Sequence, residues 1–347
     1  LRSRFCFAVA PRLCVIDRRR WIEVTFCAKR SPTYKMFKLI VISIFLLISA
    51  GLSRAQQPAV TEPEMKELLR RATLGVSEYK TKFTYLTAEE DQKIEEYDEK
   101  GRVEKRRRIE SDLFIYQSQL DPTQMVEYRD VKSVDGKAIK KREARLVNLV
   151  NKSAKSASVK KELDRIDRES RRYDLSFSFY GLTLYQGMLL AENLRDAFRY
   201  TFAGREQVNG RDVIVVDYQQ ISPTPHINLQ LVALPAPLKG SEAFHRGRLW
   251  LDAETAQIWR EVREFTLRPP SVTNPLVLTR YEFEYSDSRF GFLTPKRIVI
   301  TNNSRGRTGA DKKPELFLGG RITFDYGNFT RFDVETPDAT VDSPAKP

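Results

Sequence analysis

Past residue 27 the 347-residue chain contains no cysteine, because Cys6, Cys14 and Cys27 all lie near its start. Everything downstream is therefore without disulfides or thiolate metal sites. Histidine is almost as scarce. His226 and His245 belong to no His-Glu-x-x-His motif and have no cysteine with which to share a metal, so structural or surface roles are expected for both. No Gly-x-Ser-x-Gly elbow is present, and Ser158-Val159-Lys160-Lys161 matches Ser-x-x-Lys only by chance in a Lys-rich stretch. With no nucleophile paired to a base, the expectation is a protein that is not an enzyme and needs no cofactor or metal. Glu89-Glu90-Asp91 and Glu95-Glu96 contain the acids that glycoside chemistry uses, but charges crowded beside a turn read as solvated surface.

Long apolar runs are missing too, with one exception. Lys35-Met36-Phe37-Lys38 precedes the apolar run from Leu39 to Leu52, and Ser53-Arg54-Ala55 supplies small residues at the −3 and −1 positions. This pattern predicts a secretory signal peptide over 36–55, cleaved after Ala55. The alternative is an anchor that stays attached, for which a core of about 14 residues is short. Residues 1–35 then read as an extension from a misassigned start, or as a genuine basic extension without periodicity. A periplasmic location follows, and with no cysteine beyond the cleavage point lipoprotein acylation is excluded.

Removing the leader changes the charge. Of 59 Lys+Arg and 46 Asp+Glu, 11 and 2 lie in the first 55 residues; the remaining 48 and 44 leave +4 instead of +13. The basic excess that would suggest a nucleic-acid partner departs with the leader, so none is expected.

What remains is patterned for sheet. A short amphipathic helix is predicted over Glu64–Thr73. A hairpin follows over 79–117, with Phe83 and Tyr85 on one side and a turn at Asp98-Glu99-Lys100-Gly101, and Val126–Val131 adds a strand. Within that hairpin, Arg106-Arg107-Arg108 puts Arg107 on the face opposite its neighbours. From Lys137 to Arg172 the dense charges, with Leu146, Leu149, Val150, Leu163 and Ile166, predict helix. The run from Lys155 to Arg172 reads as a solvated face. Leu182–Phe198 is more apolar, with Leu184, Tyr185, Met188, Leu189, Leu194 and Phe198 at helical spacing. Seven strands are then predicted: 199–208, 213–221, 244–251, 258–267, 276–285, 296–301 and 316–332, with turns such as Asn209-Gly210, Asp252-Ala253-Glu254 and Gly319-Gly320. Tyr281, Phe283 and Tyr285, and again Ile322, Phe324 and Tyr326, alternate with polar residues, giving one apolar and one wet face. The Pro-rich stretch 222–240 is a long loop and 336–347 a tail of disordered composition. The apolar helix and aromatic face either form a packed core, helix on sheet, or enclose a cavity under a lid.

Four motifs carry a family resemblance. Val208-Asn209-Gly210-Arg211-Asp212-Val213-Ile214-Val215-Val216-Asp217 and Gly247-Arg248-Leu249-Trp250-Leu251-Asp252-Ala253-Glu254-Thr255-Ala256-Gln257-Ile258-Trp259-Arg260 resemble strand-and-turn patterns of the LolA-like periplasmic lipoprotein-carrier superfamily. Gly291-Phe292-Leu293-Thr294-Pro295-Lys296-Arg297 and Tyr326-Gly327-Asn328-Phe329-Thr330-Arg331-Phe332 resemble its later strands, and the N-terminal half is similar to exported envelope proteins of soil bacteria. The resemblance implies a mainly β fold with helices (α+β): an antiparallel half-open β-barrel of about 11 strands with a helical lid, forming a single domain over 56–335. It also implies acyl chains of lipids or lipoproteins as ligand. Leu184, Met188, Leu189, Leu194 and Phe198 of the lid and Tyr281, Phe283, Tyr285, Ile322, Phe324 and Tyr326 of the sheet are the expected contacts. The alternative is an envelope sensor or interaction module that grips a protein partner without lipid.

Overall fold

Alternation of apolar and polar side chains, recurring between Leu86 and Arg331, builds a large sheet. The computed structural model describes residues 60–117, 125–140, 142, 145, 157–175, 179, 181–223, 241–270, 274–305 and 316–331. The predicted signal peptide, residues 1–35, His226, the loop beyond Pro223, Leu146, Leu149, Val150 and the tail lie outside the described residues.

The strands are β1 (Leu86–Tyr97), β2 (Val103–Gln117), β3 (Met125–Val134), β4 (Lys137–Ala138), β5 (Phe198–Val208), β6 (Arg211–Gln220), β7 (Glu242–Asp252), β8 (Ile258–Arg268), β9 (Leu276–Ser286), β10 (Thr294–Arg305) and β11 (Leu316–Arg331). They form an 11-stranded sheet in the order β4-β3-β2-β1-β11-β10-β9-β8-β7-β6-β5, antiparallel throughout. β4 and β5 are its two edges, so the sheet is open and not a closed barrel. All seven strands expected after Phe198 are present. Asn209 and Gly210, both with positive φ (52° and 77°), make the tight turn between β5 and β6 that their sequence predicts. Gly319-Gly320 is different, because the pair lies inside β11. A Cβ on Gly319 would sit 2.0 Å from the Ser304 Oγ, so the glycine serves close strand contact and not a turn.

Helix α1 (Glu62–Lys82) is twice the predicted length. Thr61 and Glu64 close a capping box at its start, and Leu68, Leu69, Ala72, Val76 and Tyr79 form its buried stripe. Phe83 and Tyr85, expected in a strand, instead end this helix: Phe83 is its C-cap and Tyr85 turns the chain with φ 54°.

Helix α2 (Ala157–Ser170) corrects a second expectation. Its charges are solvated, but Leu163 and Ile166, three residues apart, are wholly buried with Phe114, Tyr116 and Tyr128 of β2 and β3. The helix thus covers one end of a sheet face, and α1 lies on the opposite face.

The predicted helix over 182–198 does not form. In its place stand two single 3-10 turns, Leu182–Leu184 and Met188–Leu190, then the one-turn α3 (Glu192–Arg195), and Phe198 already opens β5. Gly181 and Gly187 adopt left-handed φ of 71° and 55°, and Ala191 has ψ 141°, so helical hydrogen bonding is interrupted at each.

Candidate functional site

Strand register decides which side chains share the face beneath α1. Glu90 pairs with Ser111 and Tyr326, Gln92 with Ile109 and Phe324, and Ile94 with Ile322. Ile298 and Ile300 continue the face to Phe283 and Tyr281, which lie opposite Glu261 and Arg263. The result is an apolar layer holding two buried ionic groups.

At the first, the Arg129 guanidinium bonds both oxygens of Glu90, approaches Glu127 at 3.5 Å and stacks 5.5 Å from the Phe324 ring. Burial works against the charge on Arg129, but Glu90 and Glu127 outweigh it and keep the guanidinium protonated. At the second, Arg263 donates to Glu261 at 2.7 Å and lies 5.2 Å from the Phe283 ring. Glu90 was expected on a solvated turn. It sits in mid-β1 instead, 2 % exposed, on the same face as Ile94. Its nearby Gln92, 1 % exposed, finds no partner for either amide atom among the described residues, and neither does the Ser111 hydroxyl.

Both ionic groups reach the interrupted segment that replaces the expected lid helix. Glu127 accepts hydrogen bonds from the Gly181 and Thr183 amides, each at 3.2 Å, and from the Thr183 hydroxyl at 2.6 Å. Glu261 accepts from the Gly187 amide at 3.0 Å, and Arg263 donates to the Tyr185 carbonyl at 3.1 Å. The segment is therefore a strap fixed at one end by β3 and at the other by β8. Helix α1 clamps it from outside: Thr73 donates to the Leu190 carbonyl at 3.0 Å and Tyr79 to the Thr183 carbonyl at 2.8 Å. Gly187 marks the tightest point, where a Cβ would lie 2.3 Å from Ile258 Cδ1 and 2.6 Å from Val76 Cγ2.

The expected ligand contacts fall into this layer together. Leu189, Leu194, Phe198, Phe283, Tyr285, Ile322, Phe324 and Tyr326 are buried members of the main core, and Leu184, Met188 and Tyr281 pack against it partly buried. Phe83 joins them from the end of α1, stacked on Tyr79 at 4.8 Å and set edge-on to Phe292 at 6.2 Å. A cavity of about 60 Å³ remains beneath α1, lined among others by Val76, Tyr79, Gln186 and Ile258. That is room for a few waters and not for an acyl chain. A far larger groove, about 560 Å³, lies on the opposite face across β5–β9.

The predicted split of Arg106-Arg107-Arg108 holds. Arg106 and Arg108 pair outward with Glu95 and Asp91, while Arg107 turns to the Tyr173 carbonyl at 2.8 Å. His245 lies at the margin of the covered face, tilted against Phe265 at 5.4 Å, with Nδ1 unpartnered among the described residues. Burial, then the nearby Arg263 charge, brings its pKa down to about 4. Among the described residues there is no cluster of metal-ligating side chains, and no helix is long and apolar enough to cross a membrane.

No family model and no curated protein matches the chain. Solved structures do. The chain is similar to a DUF1329 family protein from Desulfovibrio piger (TM-score 0.36, 12 % identity, 78 % of this chain and 95 % of that one). It is similar to a LolA superfamily protein from Nitrosomonas europaea (TM-score 0.33, 10 % identity, covering 76 % and 94 %). A domain from Vibrio parahaemolyticus described as an outer membrane lipoprotein-sorting protein gives 0.29 at 12 % identity, covering 76 % and 93 %. The superfamily resembled by the strand-and-turn motifs is thus among the structures the chain is similar to.

Proposed function

We propose that this chain is a lipid- or lipoprotein-binding carrier of the bacterial envelope, exported through its signal peptide, which takes acyl chains between the covered sheet face and the strap. The observation that supports this reading is the nature of the cover. A continuous apolar face of Ile94, Ile322, Ile300 and Phe283 lies under a segment of single turns, held through a handful of polar ties at Glu127, Glu261 and Arg263. Swinging α1 and the strap away together exposes apolar surface, and the strap itself has no regular helix to break. Gln92, with an unused donor and acceptor in that layer, suits the ester or amide linkage of such a ligand. Since the cavity beneath α1 among the described residues is only about 60 Å³, ligand entry has to displace the strap. The proposal contains no catalytic step.

Native mass spectrometry on protein purified from cells expressing the full chain tests this. Co-purifying lipid, or uptake of a fluorescent fatty acid, is the expected result; protein that is ligand-free and indifferent to both sinks the reading. The rival, an envelope sensor or interaction module, is favoured by the filled state of the covered face. A crosslinked protein partner recovered without lipid would decide for it.

A further inference from the structure

The 560 Å³ groove lies on the face away from α1 and the strap, and it is built from residues scattered over more than 80 positions of sequence. Register unites them. Arg199, Gln219, Arg246, Glu264 and Arg280 are successive partners across β5, β6, β7, β8 and β9. With strands about 4.8 Å apart, Arg199, Arg246 and Arg280 recur at every second strand, roughly 10 Å from one to the next. The same row continues through Thr301, Arg321, Glu95 and Arg106. A line of cations therefore crosses most of the sheet, and Arg199, Arg246 and Arg280 of that line face the groove.

Charge within the groove is unbalanced. Its lining includes four arginines, Arg199, Arg246, Arg248 and Arg280, against two carboxylates, Asp217 and Glu264. Asp217 is taken by Arg248 at 2.6 Å, while Glu264 is shared, with Arg246 on one oxygen and Arg280 on the other, both at 2.7 Å. Arg199 is exposed and has no carboxylate within salt-bridge distance among the described residues. Arg280 also pairs with Glu282 at 3.0 Å, so Arg199 is the guanidinium left over, and its planar fork matches phosphate oxygens. The floor is Trp250, with Arg260 stacked 4.8 Å from its ring, and Ile221, 53 % exposed, stands at the rim.

We propose that this groove binds the phosphate headgroup of an anionic lipid. Its volume falls in the range of sites for whole organic ligands and greatly exceeds a bare phosphate ion. An exposed isoleucine beside a cationic groove fits a ligand that is charged at one end and apolar at the other. The site goes beyond the carrier reading and does not depend on it: it lies on the other face and can exist whether or not acyl chains enter the interior.

Flotation with vesicles of phosphatidylcholine, with and without phosphatidylglycerol, tests it on protein purified from cells expressing the full chain. Binding is expected only with phosphatidylglycerol, accompanied by a change in tryptophan fluorescence that Trp250→Phe abolishes. The double variant R199Q/R280Q should bind about thirtyfold more weakly. K66Q/K100Q, which removes the same charge from exposed positions outside the groove, should stay within about twofold. R199Q alone breaks no ion pair and keeps the test valid if the double variant does not fold. Equal losses in the two double variants, no binding to phosphatidylglycerol vesicles, or equally tight binding of soluble glycerol phosphate would each overturn the proposal.

Discussion

Replacing Gly187 by alanine separates two costs that usually come together. The residue has φ 55°, a left-handed conformation in which an L side chain costs about 1–2 kcal/mol. Its added methyl would also stand 2.3 Å from Ile258 Cδ1 and 2.6 Å from Val76 Cγ2, forcing overpacking between α1 and β8 worth about 1–3 kcal/mol. Gly187→Ala is therefore expected to destabilise by about 2–5 kcal/mol. Gly101, in the β1–β2 turn, is the control: its φ is 75°, and a Cβ there meets nothing within 4 Å. Gly101→Ala should cost only the backbone share, about 1–2 kcal/mol. Urea unfolding of both variants at one pH and temperature reads the difference. Adding Val76→Ala to Gly187→Ala removes one clashing atom, so the double variant should be more stable than the sum of the single effects by about 1 kcal/mol or more. If the two glycine variants cost the same within about 0.5 kcal/mol, the strap is not wedged between α1 and the sheet and the reasoning fails.

Four other expectations follow from the same structure. Arg129→Met leaves Glu90 buried without its partner and should destabilise by about 3–5 kcal/mol, whereas Arg108→Gln, at an exposed pair, should cost below about 1 kcal/mol; urea titration compares them. His245, with its pKa lowered to about 4 by burial, favours the folded chain only while neutral. Its contribution is complete above the unfolded value of 6.5 and is lost as pH falls through 6.5 toward 4, by about 3 kcal/mol, so His245→Gln should flatten the fall in stability between those limits. Gln92→Leu removes two unpartnered amide atoms and should stabilise by about 1 kcal/mol or more in thermal melts, while weakening lipid retention if the amide meets the ligand. Leu163→Ala, at a fully buried position of α2, should cost about 2–5 kcal/mol, which a merely solvated helix would not show.

Strands were the legible part of this chain because a period of two needs only local information. Tyr281, Phe283 and Tyr285 all face the core as their alternation requires. The strap was illegible for the converse reason. Leu184, Met188 and Leu194 are spaced as in a helix, but the backbone at Gly187 is set by Ile258 and Val76, far away in sequence. Glu90 was lost in a run of acids, although its even spacing from Ile94 on one strand was a signal that it shares the buried face. The arginine row could not have been found in the sequence, since Arg199, Arg246 and Arg280 become neighbours only through the register of five strands. In α2 the signal was present in Leu163 and Ile166, and the surrounding charge hid it.

The pairing of β1 with β11 sets when the molecule can fold. Lys93 meets Asp325 across 232 residues, in the middle of the sheet. Until β11 pairs with it, β1 keeps a bare edge and the meander of β1, β2 and β3 reaches β8 through the strap and not through strand pairing, and closing so long a loop is slow. The sheet therefore cannot be completed until β11 has joined β1. The same late closure leaves the β1 edge open to wrong pairing until β11 arrives.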